Sequence, residues 1–170
     1  LKIAENIAKN NSLLKEIAVK ESELQTRSER VNMLKKMIED QKESLNQLKE
    51  SLSNALLNYE GRGLTVEKRN GKIYISMENK LLFKSGKWDI ESKGKSALLQ
   101  LSKVLELNPN IAILIEGHTD NDPLVGDLKE KFVNNWGLSS FRASEVVTYL
   151  IEQNNVAKNR LVSVGYADQW

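Results

Sequence analysis

The chain has 170 residues, of which 40% are hydrophobic and 28% charged, with a formal net charge of +2 and a pI near 8.7. This length suits one ordinary domain plus an extension, and the mild charge balance, basic residues alternating with acids, forms no patch of the kind nucleic acid requires. Zero cysteines exclude disulfides and thiolate metal sites, and no segment approaches the roughly 20 apolar residues that cross a bilayer.

Residues 1–60 read as one long helix. Apolar residues recur at alternating steps of three and four: Leu13, Ile17, Leu24, Val31, Leu34, Ile38, Leu45, Leu48, Leu52, Ala55 and Tyr59. That is the seam of a coiled coil, with Lys20, Arg27 and Gln41 as polar insertions that set register or oligomer number at some cost in stability. No Gly or Pro occurs before Gly61, so the expected rod is roughly 80 Å long at 1.5 Å per residue. A narrow seam cannot bury itself against a small domain; the expectation is a homodimer in which the helix is spacer and oligomeriser. Docking of another protein along it is the alternative. Leu1 begins inside the periodic pattern with neither initiator Met nor signal sequence, so an export signal or membrane anchor is expected upstream.

Gly61-Arg62-Gly63 marks a boundary, and residues 64–170 are expected to form a second domain. Leu64–Lys68 and Ile73–Met77 alternate around Asn70-Gly71, which predicts a hairpin pairing Val66 with Ile75 and Leu64 with Met77. Leu81-Leu82-Phe83 is a short apolar segment. A helix should run from Ser92 to Leu107 with Leu98, Leu101 and Leu105 inward, stopped by Asn108-Pro109. A buried strand follows over Ile111–Ile115, then a polar loop. A helix is expected from about Ser139 to Gln153 and a last strand around Leu161–Val164. Strand, helix, strand, helix, strand makes an α+β domain, a mixed sheet with helices on one face.

The strand run ends in Gly117 and then Asp120, and Arg142 is expected in the first turn of the next helix. Strand C-termini and following helix N-termini share one edge of such a layer, so this acid and base can face one crevice. An Arg so near the positive end of a helix dipole calls for an anion beside it. His118 is the single histidine; with no Cys or second His it completes no zinc shell, and no Ser stands in a nucleophile turn. It is expected to fill the sheet end. Asp122, Asp127 and Glu130 lack the spacing of a calcium loop. No metal, cofactor or catalytic constellation is expected.

Gly117-His118-Thr119-Asp120, then Asn135-x-x-Leu138-Ser139-x-x-Arg142-Ala143, then Arg160-Leu161-x-x-x-Gly165-Tyr166 resembles the peptidoglycan-binding domain shared by OmpA, the lipoprotein Pal and the stator protein MotB. Phe83-x-x-Gly86 matches the element ahead of that domain's first helix, and the resemblance spans about Leu81 to Tyr166. It implies an OmpA-like β-α-β-α-β sandwich in which Asp120 and Arg142 grip the zwitterionic end of meso-diaminopimelate in the peptidoglycan stem peptide. A carboxylate suits its ammonium, and a planar guanidinium its carboxylate. Thr119 and Asn135 would help line the pocket. Leu138 falls among the ligand-binding positions, with packing as its plainer part, and Ser139 is expected as an N-cap. Trp136 could cover the pocket.

The loop after Asp120 is longer than in the OmpA and Pal pattern, and Asn121-Asp122-Pro123 stands where a Gly is expected. The longer loop and the Asn135-Trp136-x-Leu138-Ser139 run look more like MotB and OmpA-family proteins of Bacteroidetes than like Pal. The resemblance thus implies a non-enzymatic cell-wall anchor, with peptidoglycan as partner. Its place would be the periplasm of a Gram-negative envelope, associated with the outer membrane. A motor stator subunit using the same domain is one alternative; a coiled-coil scaffold without a ligand is another.

Overall fold

The computed structural model describes residues 2–84 and 86–169; the expected domain ends at Leu1 and Trp170 lie outside them. Helix α1 runs Lys2–Leu56, unbroken because no Gly or Pro interrupts it. The chain divides into two compact units, Leu1–Asn46 and Gln47–Trp170. In the first, the seam residues Leu13, Ile17, Leu24, Val31, Leu34 and Ile38 are 46–64% exposed. Pairs one turn apart, Lys20–Glu23 at 3.2 Å and Lys42–Glu39 at 3.3 Å, decorate this helix.

The same seam changes its role in the second unit. Leu48, Leu52, Ala55 and Tyr59 continue the heptad spacing, yet they pack into the unit's own core together with Leu56. The expected boundary at residue 60 therefore falls inside the compact unit, because the last turns of α1 are a core element rather than spacer.

Strands β1 (Leu64–Arg69) and β2 (Lys72–Met77) pair in the predicted register, Val66 with Ile75 and Leu64 with Met77. Asn70 and Gly71 both take positive φ, 51° and 71°, which is what the two-residue turn demands. A single turn, α2 (Asn79–Leu82), leads to a bridge between Phe83 and Ile90. Helix α3 (Ser92–Leu107) has the predicted bounds and buries Leu98, Leu101 and Leu105. After it come β3 (Ile113–Gly117), a short helix α4 (Asp127–Lys131), helix α5 (Asn135–Asn154), a 3-10 turn (Lys158–Arg160) and β4 (Leu161–Gly165). The architecture is α+β as expected, its strands forming two ladders, β1–β2 antiparallel and β3–β4 parallel.

β3 corrects one reading. It starts two residues after the apolar run begins, and it is not buried on both faces: Ile113 and Ile115 pack against the core while Leu114 is 52% exposed. A parallel pair covered by helices on one side alone leaves alternate residues to solvent.

Arg160 ties the end of α3 to the start of β4. Its Nε donates to the Ile111 carbonyl at 2.9 Å, Nη1 to Leu105 at 3.0 Å and Nη2 to Asn108 at 2.7 Å. These carbonyls lie at the end of α3 and along its exit loop; those of Leu105 and Asn108 also accept the Asn108 and Ile111 backbone N–H groups, so the guanidinium fills their second acceptor positions. Bonds to a charged donor are worth about 1.5–3 kcal/mol each before solvent screening. Arg160→Met is expected to lower unfolding stability by about 2–4 kcal/mol in urea titration, and Arg160→Lys, which can serve one carbonyl, by less.

Candidate functional site

The site is built where α5 rests on the ends of β3 and β4. Gly117 and Gly165 are direct register partners, and α5 lies almost on top of them. A Cβ at Gly117 would stand 2.1 Å from the Ser139 carbonyl oxygen, and one at Gly165 would stand 2.2 Å from Ser140 Oγ. Both glycines are there for lack of a side chain. Ser139 is wholly buried at this contact; its Oγ donates to the Trp136 carbonyl at 3.2 Å and accepts from the Ala167 N–H at 3.1 Å.

Ser139 is thus not the N-cap. Asn134 is: its Oδ1 accepts from the Gly137 N–H at 3.1 Å, and α5 starts at Asn135, four residues earlier than expected. The cap signal was present in Asn134-Asn135, both residues that favour helix entry. In consequence Arg142 sits two turns into the helix, beyond the first turn where the dipole acts. The dipole argument for an anion there does not hold; burial replaces it.

Arg142 is 9% exposed. One donor, Nη2, gives its hydrogen bond to the Lys87 carbonyl at 2.8 Å, and the guanidinium carbon lies 4.8 Å from the centre of the Phe83 ring. Desolvation lowers its pKa from the ordinary value, and the charge of Asp120 acts against that shift; a guanidinium stays charged throughout. Asp120 itself is exposed on the loop after β3. It is near enough for that electrostatic effect, yet among the described residues no ion pair within 4.0 Å joins it to Arg142. An internal salt bridge therefore does not consume the two charges.

Thr119 and Asn135 stand beside them. The Thr119 N–H donates to the Ala167 carbonyl at 2.8 Å, and Asn135 Nδ2 donates to the Asp120 and Asp122 carbonyls at 3.0 Å each, closing the base of the long loop. Three side-chain atoms remain buried with no hydrogen-bond partner: Thr119 Oγ1, Asn135 Oδ1 and Arg142 Nε. Leu138 is 3% exposed; its side chain packs rather than offering a surface. Trp136 is 50% exposed at the start of α5. His118 stacks on Tyr166, ring centres 5.4 Å apart and planes 6° from parallel, with Nε2 3.6 Å from Glu116.

Lys87 and Phe83 were not foreseen in the site. Lys87 acts there through its backbone carbonyl, which has no sequence signature. Its ammonium pairs with Asp127 across the long loop. That contact raises the Lys87 pKa and lowers that of Asp127, chiefly through the hydrogen bond they share. The depressed acid lends stability above its unfolded value, lost as pH falls through the folded one; the raised amine lends stability below its unfolded value, lost as pH rises through the folded one. The pair is thus intact across the neutral range. Carbon-detected NMR should find Asp127 titrating below an ordinary aspartate, and added salt should move it back towards one.

A profile of the OmpA family matches residues 82–169. Motility protein B of Bacillus subtilis is 31% identical over 96 residues, which is 56% of this chain and 36% of that protein. The chain spans less than half the length of the curated relatives it matches. A MotB-like protein from Desulfovibrio vulgaris superposes with a TM-score of 0.62 at 19% identity, over 75% of this chain and 80% of that one. The periplasmic domain of Helicobacter pylori MotB superposes with a TM-score of 0.56 at 26% identity, over 62% of this chain and 64% of that one.

Proposed function

The chain belongs to the OmpA family, and from that premise we propose that it binds peptidoglycan non-covalently through the diaminopimelate of the stem peptide, anchoring an envelope protein to the cell wall. The observation that carries this reading is the trio of unpaired buried atoms, Thr119 Oγ1, Asn135 Oδ1 and Arg142 Nε. Each such atom costs about 1–3 kcal/mol in a finished fold, and all three belong to residues at the family's ligand positions. A bound amino-acid terminus answers them. Its carboxylate takes the free edge of the Arg142 guanidinium, its ammonium lies against Asp120, and Thr119 and Asn135 supply the remaining polar partners. Leu138 backs the site from within α5.

Binding, without turnover, is the activity proposed. Its place is the periplasmic face of a Gram-negative envelope, in association with the outer membrane. A few charge-assisted bonds at a partly open site give modest affinity; the apolar stripe of α1, read as a homodimer seam, would set two such domains on one repeating polymer and multiply it. The likeness to Motility protein B favours a second reading, a stator-type subunit that holds the wall through the same residues. Isothermal titration with two soluble muropeptides tests the ligand. A diaminopimelate stem should bind, and a lysine stem, which lacks the side-chain carboxylate, should bind about tenfold or more weakly. Equal binding of the two, or of neither, sinks the proposal.

A further inference from the structure

The long loop between Asp120 and Arg142 has no part in the grip described above, yet its docking converges on the point that holds Arg142. Asp127 of α4 pairs with the Lys87 ammonium. Lys131, four residues on, places its ammonium 3.8 Å from the centre of the Trp88 ring and 4.5 Å from that of Phe141 on α5. Phe132, buried at the end of α4, meets Trp88 edge-on at 5.9 Å and Phe141 at 5.3 Å. Five contacts from one loop therefore fall on two adjacent residues, Lys87 and Trp88, and on Phe141 of α5, one residue before Arg142.

Lys87 is also the residue whose carbonyl accepts the Arg142 Nη2 hydrogen bond at 2.8 Å. The segment that carries it is closed at its base by the Phe83–Ile90 bridge and by the Glu91 N–H donating to the Leu82 carbonyl at 2.8 Å. Its tip has one turn bond of its own, the Lys87 N–H donating to the Lys84 carbonyl at 2.9 Å. Beside the Arg142 bond, the remaining contacts given above come from side chains of the long loop, which therefore share in setting the tip position. Cation–π and edge-on aromatic contacts are directional, so they fix orientation as well as distance.

We propose that Lys87 and Trp88 are positioning residues: docking of the 121–134 loop on their side chains sets the Lys87 carbonyl, and through it the orientation in which Arg142 meets a carboxylate. The coupling is reciprocal, so a carboxylate that orders Arg142 also favours the docked loop. The identity of the ligand rests on the reading above; the coupling itself does not, and a ligand-free measurement reaches it.

The experiment follows the Arg142 Nε–H signal by nitrogen-15 NMR in the ligand-free protein, assigned by its disappearance in Arg142→Lys. Asp127→Ala releases an exposed ion pair and Trp88→Ala removes the seat; both should shift the Arg142 signal and speed its exchange with water, while Trp88→Phe should largely restore it. With the diaminopimelate stem as titrant, Asp127→Ala should weaken binding about two- to fivefold and Trp88→Ala about tenfold, and in an Arg142→Ala background neither should weaken it further. A simple loss of structure would lower binding in that background too and would not be rescued by phenylalanine. An Arg142 signal unchanged in Asp127→Ala and Trp88→Ala overturns the inference, whatever the ligand proves to be. Failure of the wild type to bind either muropeptide, with the signal responding as expected, removes the ligand reading and leaves the coupling in place.

Discussion

Arg142→Ala is expected to reduce binding to purified sacculi by on the order of 100-fold while the domain stays folded. The guanidinium would lose a two-bond contact to a carboxylate, and two charge-assisted bonds in a partly dehydrated site amount to about 3 kcal/mol. Stability should move little. Removing the side chain frees the Lys87 carbonyl and forfeits the contact with the Phe83 ring, but it also relieves a charge that burial has already disfavoured. Asp120→Asn should weaken binding less, about tenfold, since the amide oxygen still accepts a hydrogen bond after the charge is gone. Pulldown of each variant with sacculi, beside its thermal melt, separates loss of a ligand contact from loss of fold. Wild-type binding by both variants would leave the coiled-coil scaffold as the better account of the protein.

Gly117→Ala should be among the most disruptive single changes in the domain, and Gly165→Ala its near equal. The new methyl at Gly117 would overlap the Ser139 carbonyl oxygen at 2.1 Å and its carbonyl carbon at 2.8 Å; at Gly165 it would meet the Ser140 nitrogen at 2.5 Å. These are backbone atoms of α5, which cannot rotate away as a side-chain tip could, so the helix must lift from the strands. Overpacking of this kind costs about 1–3 kcal/mol and sometimes more, equivalent to a fall in Tm on the order of 10 °C for a domain of this size. Arg142 lies one helical turn beyond Ser139, so lifting α5 also carries the guanidinium away from Lys87 and Asp120. Either variant should therefore lose binding and stability together, in contrast to Arg142→Ala. Melting curves within about 2 °C of wild type would show that the strand ends do not hold the helix as closely as the coordinates require.

Local pattern was legible wherever the residues themselves impose it. The Asn70-Gly71 turn forces positive φ at two positions and so dictates the hairpin register. Helix α3 ends where Asn108-Pro109 stops it. Asp120 and Arg142 could be singled out as a candidate pair because β3 and α5, which place them, meet at one edge. What local pattern could not say is how those elements are used. The start of α5 was misplaced because Ser139 and Asn134 are both good caps by type, and only the contact with Gly117 and Gly165 shows that Ser139 is spent on packing. The heptad seam reads the same at Leu34 and at Leu52, yet the first is 50% exposed and the second 3% exposed, because a core formed by distant strands and helices reaches one and not the other.

By itself, then, the amino-acid sequence determined most of the regular elements, the hairpin register and the α+β class, since these follow from periodicity and turn chemistry, while the pairing of Asp120 and Arg142 with a zwitterion was what the family resemblance implied. Only the tertiary structure decided that Arg142 is buried and fixed by the Lys87 carbonyl, that it shares no ion pair with Asp120, and that Thr119, Asn135 and Arg142 each keep an unanswered polar atom. Satisfaction of a hydrogen bond depends on atoms brought together from far along the chain, Lys87 and Arg142 being 55 residues apart. No local pattern carries that information.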